Sequence, residues 1–349
     1  MFDPDYSFLE RLLHRLALHY RPIAEMSFDM DQMTVQTDPA KIVSQKHVFV
    51  SGLARAGTTL LMRRFYATGL YRSLTYRDMP FVLAPNLWRR LSLISRRDIE
   101  SSERVHGDNL LVDADSPESL DEVFWRIFAG DDYMESDRLK PHAPDEEVVE
   151  KYIRYVNAIL SANDSRLDRY LSKNNNNILR LGTIHQAFPQ ALILIPFREP
   201  LQHADSLLRQ HVRFSELQAK REFTLAYMTW LGHHEFGLDH RPFQFEGAAP
   251  CPYPVDTLDY WLHMWCETYS WLEHSKPKPA LFVCYEDLCM REETWHRLAE
   301  LADIPAAHGG GDPLKLSVRR LDADFDRTLA DRAAAIYARL AAHSRTQLS

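Results

Sequence analysis

Residues 47–61 read His47-Val48-Phe49-Val50-Ser51-Gly52-Leu53-Ala54-Arg55-Ala56-Gly57-Thr58-Thr59-Leu60-Leu61. The first four are a short run with two β-branched residues, the pattern of a buried strand, and residues 58–68 carry helical patterning. Between strand and helix stand two glycines with the G-x-x-x-x-G spacing of a loop that cradles phosphate. The chain has only 12 glycines in 349 residues, about half the usual share, so a pair at this spacing is informative. Gly52 and Gly57 let the loop amides, including that of Ala56, turn inward, while the helix adds unpaired N–H groups and the positive end of its dipole. Thr58 and Thr59 supply hydroxyl donors. A nucleoside triphosphatase places lysine directly after the second glycine; here that position is Thr58, and the cation is Arg55, inside the loop. With the lysine missing and no Walker-type aspartate assignable, the loop suits one terminal phosphate better than ATP.

A second anion site follows further along. Ala191-Leu192-Ile193-Leu194-Ile195-Pro196-Phe197 is a continuous apolar run of the kind a buried parallel strand needs, and it ends in Arg198-Glu199-Pro200. Pro200 suits an early helix position. Arg198 at the strand tip and Ser206 two turns into the helix can converge on one phosphate through charge-assisted and hydroxyl bonds. Leu281-Phe282-Val283-Cys284-Tyr285 is a further strand, residues 119–128 and 146–160 read as helices, the asparagine run at 174–177 as a polar loop, and residues 322–342 as a closing helix. Strands separated by helices imply a parallel sheet covered on both faces, with ligands gathered at the carboxyl ends of its strands.

These motifs resemble sulfotransferases that use 3′-phosphoadenosine 5′-phosphosulfate (PAPS). Residues 50–61 are similar to the 5′-phosphosulfate loop of the bacterial-type branch with arginine in the loop and a Thr-Thr pair. Arg198 and Ser206 are similar to the 3′-phosphate-binding pair. Lys173, 25 residues ahead of Arg198, stands where the family places the lysine that stabilises the donor's bridging oxygen. Tyr285-Glu286-Asp287-Leu288 resembles a late-strand segment, and Cys251-Pro252-Tyr253 with Trp261 and Trp265 the adenine-side aromatic region. The resemblance implies a P-loop-like three-layer α/β fold with a central, mostly parallel sheet, PAPS as cosubstrate, no metal, and a hydroxyl or amine acceptor on a small molecule or glycan. In the arginine-loop branch the general base is a carboxylate after the first helix. Asp78, in Thr75-Tyr76-Arg77-Asp78-Met79-Pro80, is the first choice, and His106, Glu118 and Glu122 compete with it.

The chain reads as one sulfotransferase-like domain over 1–349, with an N-terminal helical extension at 1–40, a mostly helical insert at 88–171 and a C-terminal loop and helix at 309–349. Its net charge of −8 proposes neither nucleic acid nor an anionic membrane as partner. Cys251, Cys266, Cys284 and Cys289 have no metal-ligand or disulfide spacing, which fits reduced thiols in the cytoplasm. The apolar run at 191–197 is far too short to span a membrane, and no signal peptide is visible. His185, His211, His233 and His234 show no metal spacing, but His233-His234-Glu235 is a polar cluster that could line an acceptor pocket. The insert and the aromatic segment at 227–245 would shape that pocket. A P-loop kinase or hydrolase using ATP and magnesium, and a noncatalytic nucleotide-binding protein, are the alternative readings. Oligomeric state is not legible.

Overall fold

The computed structural model describes residues 7–36, 38–94, 102–103, 111–112, 120–162, 167–248, 250–308, 314–321 and 324–348. Seven strands appear among them: β1 Val48–Val50, β2 Tyr71–Arg72, β3 Ser102–Glu103, β4 Leu111–Val112, β5 Arg169–Lys173, β6 Leu192–Phe197 and β7 Leu281–Cys284. Strands β3 and β4 form a small antiparallel pair, and the other five make one sheet in the order β2-β5-β1-β6-β7. Every pairing in that sheet is parallel. The expected P-loop-like α/β architecture is therefore the observed one.

Central β1 is buried along its whole length, as are all six residues of β6. Such continuous burial is why both read as unbroken apolar runs instead of alternating ones. Two apolar layers enclose the sheet, one containing Phe49, Ile193 and Ile195, the other containing Val48, Val50 and Leu194. Alternate residues of one strand thus divide between the layers, as the pleat requires. His47 stitches the start of the sheet: its Nδ1 accepts the Tyr170 N–H at 2.9 Å, which leaves Nε2 to donate to the Ile42 carbonyl at 2.8 Å.

The helices that frame the site are α1 Phe8–His14, α2 Arg21–Gln32, α3 Pro39–Val43, α4 Thr58–Tyr66, α5 Pro85–Ile94, α6 Glu122–Tyr133, α7 Glu146–Ser161, α8 Leu181–Ala187, α9 Pro200–Lys220, α10 Glu222–Trp230, α11 Leu258–Ser275, α12 Tyr285–Met290, α13 Glu292–Leu301 and α14 Arg327–Gln347. Among the described residues, no helix is long and apolar enough to cross a membrane. One expectation changes: the asparagine run is not a solvated loop. Asn174, Asn175, Asn176 and Asn177 are all buried, the last three opening a 3-10 turn over Asn175–Arg180.

Burial fixes several histidines in the neutral form. It pulls His47 and His240 down to about 4, His203 to about 3 and His142 to about 2. An unfolded chain would protonate all four near the ordinary value of about 6.5, so the native state binds fewer protons below that pH and loses stability as pH falls. Asp121, pushed up to about 6 by burial, works in the opposite sense: its stabilisation is full below its ordinary value and fades as pH rises through 6. Four groups outweigh one. The melting temperature followed by circular dichroism is expected to fall steadily from pH 7 to pH 5; a flat or rising profile would contradict this account.

Candidate anion-binding and transfer site

Register decides which side chains meet at the carboxyl end of the sheet. Val50 is paired with Lys173 on one side and Leu194 on the other. Beyond this point Ser51 N–H bonds to the Leu194 carbonyl at 2.8 Å, and Asn174 N–H to the Val50 carbonyl at 3.1 Å. Lys173 therefore leaves β5 beside the start of the glycine loop. The loop can leave β1 against β6 only because residue 52 has no side chain: a Cβ there would stand 2.7 Å from the Pro196 carbonyl oxygen. Gly57 has φ +89°, and a Cβ on it would meet the Tyr285 ring at 2.7 Å. Arg55 lies in the left-handed region as well, with φ 69°, a conformation that L-residues adopt at a cost of about 1–2 kcal/mol.

Helix α9 holds the loop from the other side. His203 and Ser206 are three residues apart and share one helix face. His203 Nε2 donates to the Ala54 carbonyl at 2.8 Å, and Arg55 Nε donates to Ser206 Oγ at 3.2 Å. The loop arginine and the helix serine are thus adjacent. Arg198, buried at the tip of β6, places its guanidinium 4.9 Å from the centroid of the same Tyr285 ring that packs on Gly57. It also donates to the Ser317 carbonyl, and Ser317 N–H donates to the Tyr285 hydroxyl at 3.3 Å. The two expected anion sites form one neighbourhood. The sequence reading pairs Ser206 with Arg198; the contact seen is with Arg55. His203 was invisible to motif reasoning, since only the helix face it shares with Ser206 hints at its support of the loop.

Lys173 stands between two residues tied to buried carboxylates. Ser172 Oγ donates to Asp121 Oδ2 at 2.5 Å, and Tyr170 adds a second bond to that oxygen at 3.2 Å. On the other side, Asn174 Nδ2 donates to Glu122 Oε2 at 2.7 Å. Glu122 forms a bidentate pair with Arg180, at 2.7 and 3.0 Å, and accepts from the Tyr133 hydroxyl as well. Burial pushes the Glu122 carboxyl up, but the Arg180 guanidinium and the added hydrogen bonds outweigh it, and the carboxyl is held below its ordinary value. Arg180 is sandwiched near Trp125 and Tyr133, at 4.8 and 4.7 Å. Both charges of this pair are almost wholly excluded from water.

The candidate bases fall in different places. Asp78 is buried in a short turn, its carboxylate accepting two bonds from Arg72, at 2.7 and 2.9 Å, and two from Thr75, at 2.7 and 3.1 Å. His106 and Glu118 lie outside the described residues. Trp265 is wholly buried in the core, whereas Trp261 lines a cavity that opens beside the loop. Glu235, from the histidine-glutamate cluster, lines that cavity too.

A parallel sheet with a glycine loop at the tip of its central strand defines a phosphate-loop-like α/β protein. The family model for sulfotransferases matches residues 47–307, and the chain belongs to the sulfotransferase family. Similar solved structures include sulfotransferase STF9 from Mycobacterium avium, at 17% identity with 96% of this chain and 86% of that one covered and a TM-score of 0.49. Sulfotransferase STF1 from Mycobacterium tuberculosis H37Rv is 14% identical over 95% of this chain and 81% of its own, with a TM-score of 0.43. A sulfotransferase from Alicyclobacillus acidocaldarius is 13% identical over 87% and 96%, with a TM-score of 0.37. No curated protein matches the sequence.

Removing one partner of a buried ion pair leaves the other charge uncompensated, at a cost of about 3–5 kcal/mol. Arg180→Met is therefore expected to lower unfolding free energy by about that amount in urea titrations, since Glu122 would keep only the Tyr133 and Asn174 bonds. A loss below about 1 kcal/mol would show that the network is not rigidly closed.

Proposed function

We propose that the chain transfers a sulfuryl group from PAPS to a hydroxyl or amine on a small molecule or glycan. The observation that carries the donor assignment is the 3.2 Å contact between Arg55 and Ser206. It draws the glycine loop and the α9 segment into one site, so a single nucleotide with anionic groups at both ends can reach them together. Gly52, Ala56 and Gly57 shape the cradle, with Arg55, Thr58 and Thr59 as donors to the 5′-phosphate. Arg198 and Ser206 serve the 3′-phosphate. The family membership supports sulfuryl transfer, and these residues support PAPS as its source.

In the reaction, negative charge grows on the oxygen that bridges phosphorus and sulfur as the sulfur–oxygen bond lengthens. Lys173, leaving β5 beside the loop, is placed to neutralise it as a hydrogen-bond donor. The loop amides and Arg55 stabilise the departing phosphate without rearranging, because His203, Tyr285 and Ser206 already fix the loop. The acceptor must also give up a proton. Asp78, His106, Glu118 and Glu122 are the bases proposed from sequence, although the Asp78 oxygens already take four hydrogen bonds and Glu122 is paired with Arg180. We read the whole chain as one domain working in the cytoplasm; the four cysteines, all free thiols, support that compartment.

Titration calorimetry tests the donor assignment. Adenosine 3′,5′-bisphosphate is expected to bind without magnesium and far more tightly than ATP; the opposite preference would favour a kinase or hydrolase. Arg198→Ala is expected to weaken bisphosphate binding by about 1.5–3 kcal/mol, the value of a charged hydrogen bond, and unchanged affinity would remove Arg198 from the site. Lys173→Ala is expected to lower kcat by at least about tenfold with bisphosphate affinity changed less, because its partner charge develops mainly in the transition state. Equal losses in both would make it a ground-state binding residue.

A further inference from the structure

A cavity partly open to solvent lies beside the loop. Its lining joins the transfer site to an apolar chamber. Leu53 and Ala54 come from the glycine loop, Asn175 follows Lys173 by two residues, and Leu207, Phe243, Trp261 and Met264 form hydrophobic walls. A molecule seated there lies beside Leu53 and Ala54 of the loop and beside Asn175.

Most polar groups of this lining are already engaged. Asn175 Nδ2 donates to Glu235 Oε1 at 2.8 Å, and Asn176 Nδ2 donates to the Gly232 carbonyl at 3.1 Å. Those acceptors fix both amides, so both Oδ1 atoms are left as acceptors, and neither has a hydrogen-bond partner. Asn175 is 4% and Asn176 2% exposed, so water does not readily meet the need. Glu235 adds a carboxylate whose other oxygen lies 3.6 Å from His233 Nδ1. Burial pushes the Glu235 carboxyl up, but His233 and Asn175 outweigh it and keep it ionised. His240 brings no spare group: one ring nitrogen is with the His234 carbonyl and the other with the Tyr260 hydroxyl. Arg241 spends three of its five N–H groups on Asp239 and the Glu135 carbonyl. The Glu235 carboxylate is the ionised acceptor of the lining.

We propose that this cavity holds the acceptor, an uncharged hydroxyl compound with an apolar body, and that Glu235 takes the proton of the reacting hydroxyl. This rests on the donor site described above. The hydroxyl oxygen uses a lone pair to form the new bond to sulfur, the bond from sulfur to the 5′-phosphate oxygen breaks with its electron pair staying on the phosphate, and the hydroxyl proton passes to a Glu235 oxygen. A carboxylate held ionised is sufficient, because the hydroxyl becomes strongly acidic once its oxygen bonds to sulfur. An acceptor carrying its own carboxylate beside the reacting hydroxyl would instead meet the Glu235 carboxylate.

The probe is 2-naphthol, with 3-hydroxy-2-naphthoate and N-acetylglucosamine as contrasts. Bisphosphate-loaded protein is expected to bind 2-naphthol saturably in calorimetry, and to bind the naphthoate and the sugar at least tenfold more weakly. With PAPS, Glu235→Gln is expected to lower the kcat for 2-naphthol sulfation at least 100-fold, with bisphosphate affinity changed less than twofold. Met264→Phe, which narrows a wall and leaves the proton path alone, is expected to raise the KM for 2-naphthol with bisphosphate affinity again preserved. Failure of the wild-type protein to bind bisphosphate would defeat the donor assignment itself. With bisphosphate binding intact, the acceptor proposal is overturned by absence of 2-naphthol binding, by equal binding of the naphthoate or sugar, or by full turnover in Glu235→Gln.

Discussion

The ring of Tyr285 is the fixed point around which the candidate site is assembled. It begins α12 at the end of β7, the strand next to β6. Gly57 packs on one of its ring carbons so closely that any side chain would collide, Arg198 lies over the ring, and its hydroxyl takes the Ser317 N–H while facing the Lys315 carbonyl at 3.4 Å. Three segments far apart in sequence are thereby referred to one rigid aromatic group. A guanidinium on an aromatic face keeps its charge and its in-plane donors available while losing little orientational freedom. The loop gains the same rigidity from His203, whose bond to the Ala54 carbonyl holds a backbone that would otherwise relax out of the left-handed turn at Arg55.

That arrangement was partly legible beforehand, and the reasons differ from element to element. Strands β1 and β6 announced themselves because a strand buried on both faces must be apolar throughout, and the 16-residue α7 because its apolar positions recur at helical spacing. Gly52 and Gly57 were legible because a backbone that comes within contact of Pro196 and Tyr285 leaves glycine as the residue that fits. The adjacency of Arg55 and Ser206 was not, since their 151-residue separation carries no periodic signal. Nor was the burial of the asparagine run. Four consecutive amides look solvated by composition alone, and only the positions of Glu122, Glu235 and the Gly232 carbonyl show that the protein itself takes the NH2 groups of the first three.

The same contrast explains why the reacting base is the hardest feature to read. A carboxylate's role depends on which hydrogen bonds are already in place, and sequence shows the carboxylate without its bonds. Asp78 takes four, all from within seven residues, and so stabilises its own turn. Glu122 is spent on Arg180, Tyr133 and Asn174. Glu235 accepts from Asn175 with one oxygen, has His233 near the other and lines the cavity beside the loop. Similar residues are told apart by what surrounds them.

The strand tip at Lys173 has a different kind of support, a backbone held from both sides. Its two neighbours in sequence are anchored to two consecutive carboxylates, Ser172 to Asp121 and Asn174 to Glu122. Successive residues of a strand point to opposite faces, so anchoring the residue on each side of Lys173 fixes the strand tip without occupying the lysine's own direction. The carboxylates that do this are adjacent on the chain and buried beneath the sheet end. Desolvating them is expensive: Arg180 and its companions outweigh burial at Glu122, whereas burial wins at Asp121 and pushes it up to about 6. The network makes better sense as a support for the strand tip beside the glycine loop than as a source of stability.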